Sequence, residues 1–221
     1  MSKTRSTTYR PGRKQDALPE SQSIARALAA GALQALDATS DTDFAALIVE
    51  RAGTARAPAW MAAAQSTDAR ARKSARDGYE RCLEIYRTVV RPQDTTYDDA
   101  GAALAFFVAI NLNALHDLPM TPETLLLLER QLLGLARQAS GWDSASISER
   151  QFYCEQMAML GVFMAGLLSN ARTEGAAALV KVQKAARGYL RRVLGMEPDL
   201  LALGARGLTL RRAADATNQA A

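Results

Sequence analysis

The chain has 221 residues, with 27 Lys and Arg against 23 Asp and Glu for a formal charge of +4, and 48% of its residues are hydrophobic. That length can bury a substantial core in one domain, and the abundance of Ala and Leu favours helix over any large sheet. Two cysteines and a single histidine cannot by themselves close a structural zinc site, and a pI near 9.3 speaks to solubility and encounter with anionic partners rather than to fold.

Residues 1–20 are rich in Lys, Arg, Ser, Thr and Pro and hold almost no large apolar side chain, which predicts a flexible basic arm. Its Lys3, Arg5, Arg10, Arg13 and Lys14 could touch phosphate, but only Tyr9 accompanies them as a stacking surface. Met1-Ser2-Lys3-Thr4-Arg5 is followed by no apolar run, so as written it is not a signal peptide. The sequence does not fix a location: as written it reads as cytoplasmic, and as periplasmic or secreted if a leader has been removed.

A helix is expected over 21–36, on Ile24, Leu28, Leu33 and Leu36, and a shorter one over 43–50, on Phe44, Leu47 and Ile48. Residues 53–66, with Pro58 and the Trp60-Met61 pair, read as a connector whose aromatic ring either plugs the core or is an exposed contact. Over 67–90 a charged start gives way to Tyr79, Cys82, Leu83, Tyr86, Val89 and Val90 at spacings of three and four, a long helix with a dry second half that Arg91-Pro92 ends.

Thr96 followed by Asp99 resembles a capping box and places the next helix start near Tyr97. The stripe Ala100, Ala103, Leu104, Phe107, Ile110, Asn111, Ala114 and Leu115, widened by Phe106 and Val108, makes this helix central. Thr121-Pro122-Glu123 supplies an N-cap, a proline at the first helical position and an early acid before Leu125, Leu128, Leu132 and Leu135. Gly141 then interrupts, and Ser146-Ile147-Ser148-Glu149 is a full capping box leading into Phe152, Met157, Leu160, Phe163, Met164, Leu167 and Leu168. A last large helix runs over 176–194 and stops at Gly195 with Pro198 beyond it; Leu200, Leu201, Leu203 and Leu208 form a short cap, and 211–221 is a disordered tail.

These elements predict an all-α fold, a compact bundle of five to seven helices in a single domain over 21–210, with the core drawn from 79–90, 98–115, 123–138 and 147–170. No stretch has the uninterrupted apolar length of a membrane span, because Asn111, Asn113, His116 and Asp117 break the best candidate.

No assembled catalytic motif is present. His116 beside Asp117 invites a general-base reading, but neighbours on a helix point in different directions. Gln151 and Glu155 flank Cys154 one turn apart, and a thiol nucleophile would need an activating base; solvent-side placement, or a polar network with Asn111, is the plainer expectation for that pair. Carboxylates recur at Asp98, Asp99, Glu129, Glu149 and Glu155, but the Glu-x-x-His pairs of a di-metal bundle are missing, so neither metal nor cofactor is expected. Cys82 and Cys154 read as two buried thiols, or as one disulfide worth on the order of 4 kcal/mol if their helices adjoin in an oxidising compartment. Lys181, Lys184, Arg187, Arg191 and Arg192 form a cationic stripe, either an ordinary solvated face or a surface for an acidic protein, anionic lipid or nucleic acid.

The segments Tyr79-Glu80-Arg81-Cys82-Leu83 with the Tyr86 turn, Asp98-Asp99-Ala100 through Leu115-His116, 149–166, and 186–203 ending in Gly207-Leu208-Thr209-Leu210 resemble an uncharacterised family of small bacterial helical proteins, a domain of unknown function. The resemblance covers the last two-thirds of the chain. It implies a compact helical domain without an established activity, often exported by a cleavable leader, and carries over no catalytic or ligand residue. The expected role is therefore that of a non-enzymatic interaction protein, a scaffold or adaptor binding another protein through an exposed groove or the 181–192 stripe, with Trp60 as a further contact and homo-oligomers compatible. A nucleic-acid-associated protein using the arm and stripe is the first alternative, and a thiol- or carboxylate-dependent hydrolase the second.

Overall fold

A computed structural model of the chain describes residues 48–51, 53–91, 97–118, 120–138, 140–204 and 207–210. The expected basic arm at 1–20, the helix over 21–36, the start of the 43–50 helix and the tail at 211–221 lie outside them.

Among the described residues the order is β1 (Ile48–Glu50), α1 (Ala57–Gln65), α2 (Ala69–Ile85) running into a π turn (Tyr86–Val90), β2 (Tyr97–Asp99), α3 (Ala100–His116), α4 (Pro122–Gln138), α5 (Ser140–Ser144), α6 (Ile147–Glu174), α7 (Ala176–Leu194), one 3-10 turn (Pro198–Leu200), β3 (Leu201–Gly204) and β4 (Gly207–Leu210). Among the described residues seven α-helices build the fold, and two two-stranded ribbons, β1 with β2 and β3 with β4, are both antiparallel.

The core is centred where the sequence places it. α3 is buried on nearly every side and packs against α4, α6 and α7, with Phe107, Val108 and Leu112 sealed from solvent. Complete burial of side chains of this size contributes about 1.5–3 kcal/mol each. The helix starts follow the capping chemistry: Ser146 and Glu149 form the reciprocal box at the start of α6, and the Thr121 hydroxyl accepts the Thr124 N–H at the start of α4. At the other end of α7, Gly195 stops the helix in the left-handed region (φ 69°).

Several local expectations are corrected. Ile48–Glu50 is a strand rather than the end of a helix, because Val49 is buried opposite Asp98 while Ile48 and Glu50 face outward, a period-two pattern. The expected connector over 53–66 contains helix α1, begun by Pro58 near its first turn, where a missing N–H costs nothing. The helix expected from Tyr97 begins at Ala100, since Tyr97–Asp99 pairs with β1 and Asp99 itself is the N-cap. Gly141 lies inside the short helix α5 rather than between elements. Of the leucines after α7, Leu200 ends the 3-10 turn, while Leu201, Leu203 and Leu208 lie in the β3–β4 hairpin, which the Gln131 side chain clamps to α4 by accepting from the Leu208 N–H (2.7 Å) and donating to the Leu208 carbonyl (3.1 Å). Gly207 suits that turn because its φ of 81° would strain any side chain, and a Cβ there would also fall 2.5 Å from Gln131 Oε1, displacing the clamp.

α2 shows the largest departure. Tyr79, Leu83 and Tyr86 are buried as expected, but the π turn that follows inserts a residue, so that the Arg91 N–H bonds back to the Tyr86 carbonyl at 2.8 Å. The extra residue rotates Val89 and Val90 to the surface, Val89 to 71% exposure, and turns Arg91 towards the side that Val90 would occupy in an uninterrupted α-helix.

α6 also differs from expectation: it is long and apolar enough to cross a membrane by length and composition, with 61% of that apolar window buried inside the bundle. Its first half is enclosed, from Gln151 through Met159, whereas beyond Gly161 only Met164, Leu168 and Ala171 are buried. The spacing of those three is that of a helix covered on one side.

Two glycines separate packing from propensity. A Cβ on Gly161 would lie 2.6 Å from the Phe106 ring, which is itself held against Tyr86, whereas one on Gly78 meets nothing within 4 Å. Urea unfolding should show Gly161→Val losing about 2–3 kcal/mol through overpacking, and Gly78→Ala gaining about 0.5–1 kcal/mol through helix propensity. Equal effects of the two substitutions would contradict this helix packing.

Candidate functional site

Two places concentrate polar chemistry against helical apolar surfaces. The first is a buried network where the β1–β2 ribbon, the π turn and α6 converge. Asp98 and Asp99 end β2, so one side chain points to each side of the ribbon. Asp98 accepts from Arg51 Nε (3.0 Å) just past β1, and from Arg87 Nε (3.1 Å) and Nη2 (2.5 Å) on the π turn. Asp99 accepts the Gly101 and Ala102 N–H groups at 2.9 and 3.0 Å and so opens α3. Glu155, buried on α6, accepts the Arg56 and Ala57 N–H groups at 3.0 and 3.1 Å, the positive end of α1, while its other oxygen accepts from Gln151 Nε2 at 2.8 Å. Arg91 grips Glu129 on α4 with two bonds of 2.9 Å and stands 3.9 Å from Asp99.

In and beside the network, burial favours the neutral forms of Cys154, Tyr153, Tyr86 and Asp99. Burial, assisted by the carboxylates of Asp98, Asp99 and Glu155, pushes the Cys154 thiol well above its ordinary range, and burial likewise raises the Tyr153 and Tyr86 phenols. Burial lifts the Asp99 carboxyl as well, against the opposing pull of the Ala102 N–H. Gln151 and Glu155 are therefore neither on the solvent side nor joined to Asn111, whose amide donates instead to the Phe107 carbonyl at 2.8 Å.

The other candidates for chemistry stand apart. His116 closes α3 at the end opposite Asp99, about 25 Å away along the axis of a 17-residue helix. Its neighbour Asp117 accepts from Arg172 at 2.8 Å. The helices of Cys82 and Cys154, α2 and α6, pack together, and both cysteines are free thiols, Cys82 half-buried and Cys154 sealed. Trp60 is half-buried, its ring edge-on to Phe152 at 5.4 Å between centroids. Among the described residues no group of three or more His, Cys, Asp or Glu side chains is placed to hold a metal ion.

The second place is a groove in the α6–α7 hairpin, whose antiparallel arms are joined by Gly175 alone (φ 102°). A cavity of about 260 Å³ lies between the arms near the bend. Leu167, Ala171, Ala178 and Val182 form its apolar floor, with Glu174 on the α6 wall and Lys181 on the α7 wall. The cationic stripe divides here. Arg187 pairs with Asp199, and Arg191 with Glu197 at 2.7 Å, because the turn after α7 folds back along it. Lys181, Lys184 and Arg192 stay exposed and, among the described residues, form no ion pair. Two of the three unpaired cations, Lys181 and Lys184, thus lie towards the groove end of α7 and Arg192 at its other end, and the sequence alone signals neither this division nor the pairing roles of Arg51, Arg87 and Arg91.

Two measurements check this description. The Asp99 pKa is higher in the folded than in the unfolded chain, so its contribution favours folding below the ordinary aspartate value of about 3.9 and is lost as pH rises through the raised value. Asp99→Asn keeps an Oδ1 acceptor for the α3 cap and removes the charge, so its urea stability relative to the parent should climb between pH 4 and 7; a flat or falling difference contradicts the burial. Independently, a colorimetric thiol reagent should count one slowly reacting thiol, Cys82, in the native protein and two in denaturant. Two equally fast native thiols would show that Cys154 is open.

The chain matches no curated protein and no solved structure. A family model does match, over residues 13–211, nearly the whole chain. That span takes in both the buried network and the α6–α7 groove, and it places the chain in DUF6683, a family of unknown function.

Proposed function

We propose that this protein is a non-enzymatic scaffold or adaptor that engages another protein through the α6–α7 groove and its lysine lip. One observation carries the proposal: at the far half of α6 the packing turns one-sided, and an apolar-floored groove opens there beside Lys181 and Lys184, two exposed cations without an ion pair among the described residues. Grooves of this kind take the apolar face of a helix, with residues at every third and fourth position as anchors. A hydrolase would need Cys154 or Glu155 to meet His116 in a cleft, whereas those groups sit at opposite ends of α3. A nucleic-acid role draws on the same Lys181, Lys184 and Arg192; it requires binding that weakens steeply with salt, and absence of retention on DNA or RNA at low salt ends it.

Ala178→Trp, which puts an indole into the groove, tests the docking surface. Proteins recovered from a native extract on the immobilised parent should be lost on the variant, while its circular dichroism and Tm stay within a few degrees of the parent. Recovery of the same proteins by both chains places the docking surface elsewhere.

A further inference from the structure

We infer that the α6–α7 groove is filled by the same groove of a second copy, so that two hairpins close into an antiparallel four-helix cluster about a twofold axis. This inference rests on the docking proposal above and names the occupant. In a twofold interface one patch faces itself, and every unlike contact occurs twice. The groove has the charge pattern this demands. Glu174 lines the α6 wall and Lys181 the α7 wall, and neither forms an ion pair with any described residue, although the bend brings their helices side by side.

The heights of these two groups fix the register. Glu174 is one residue before Gly175 and Lys181 six after it, so along the hairpin they lie about 1.5 and 9 Å from the bend. Their midpoint, about 5 Å from the bend, is the level of Ala171 on α6 and Ala178 on α7. A twofold axis through that level and across the hairpin exchanges the two heights, so that Glu174 of each copy stands level with Lys181 of the other, diagonally across the shared groove. Ala178, the small half-buried side chain of the floor, then lies at the crossing, where it permits helix axes to approach to about 8 Å, while Ala171 is already buried within its own copy. Further along the same face of α6, one turn above Leu167, Phe163 is 39% exposed and supplies apolar area beyond the cavity itself.

The test is sedimentation equilibrium of the full chain at low ionic strength, on the parent, on Glu174→Lys and Lys181→Glu, and on an equimolar mixture of the two variants. The parent should be a dimer at micromolar concentration. Each single variant should dissociate about tenfold more readily, since both attractive pairs become repulsive. The mixture should recover the parent's affinity, because a copy with two lysines then faces a copy with two glutamates. A monomeric parent, dimers indifferent to both single variants, or a mixture no tighter than its components would each overturn the inference. If the parent is monomeric while Ala178→Trp still releases captured proteins, the self-pairing falls and the docking proposal stands.

Discussion

The fold depends on the pairing of Asp98 with two guanidinium groups. Arg51 reaches it from the end of β1 and Arg87 from the π turn, so one carboxylate joins a strand, a helix end and the entry to the central helix α3. Burying a carboxylate is costly unless it is paired and its oxygens are hydrogen-bonded, and Asp98 meets both conditions. Its neighbours repeat the solution with different donors. Asp99 and Glu155 each accept two backbone N–H groups at a helix start, and Glu129 takes a bidentate arginine. Four acids thus sit among three arginines and two helix N-termini, with the dipoles offsetting the charge that the arginines leave. Removing one partner from such a set costs more than the pair contributes, because the remaining charge stays buried.

The π turn gives this network its geometry. In an unbroken α-helix Val90 would follow Tyr86 inward, and an apolar side chain would face the acids. The inserted residue brings Arg91 round to Glu129 and Asp99, while Arg87 holds Asp98 from the same turn. Hydrophobic exposure at Val89 accompanies the gain of buried ion pairs, a trade that hydrophobic periodicity does not anticipate.

The same contrast separates what the sequence discloses from what it conceals. Helices α3, α4, α6 and α7 announce themselves because their signals are local: a cap, a stripe at threes and fours, a glycine stop. The strand at 97–99 is hidden because Asp98 and Asp99 read as helix-opening acids, and only Asp99 plays that part. Its partner, Ile48–Glu50, lies nearly fifty residues away in sequence, and no local pattern reports so distant a pairing. Trp60 and Pro58 read as a connector because α1 holds its position through Glu155 of α6 rather than through a cap of its own. For the groove, Lys181 was visible as a charge, but the neutralisation of Arg187 and Arg191 by Asp199 and Glu197 depends on a backward fold that follows from tertiary packing.

α6 ties the two polar regions together and separates their roles. Around Glu155 it is enclosed on all sides, so its polar groups must be satisfied within the fold and its thiol is raised out of the reactive range. Beyond Gly161 the neighbours thin out, the helix keeps one buried line of Met164, Leu168 and Ala171, and its remaining faces meet α7, the Tyr79 ring of α2, the end of α3 and solvent. A helix that changed only its neighbours, and not its apolar character, would expose grease at that end; α6 instead turns to Gly166, Ser169, Asn170, Arg172 and Thr173, with Leu167 retained in the groove. The half that fixes the fold therefore offers its charges to the protein's own backbone and arginines, and the half that projects keeps Glu174 uncommitted opposite Lys181. The uncommitted charge lies where the fold has least need of its own side chains.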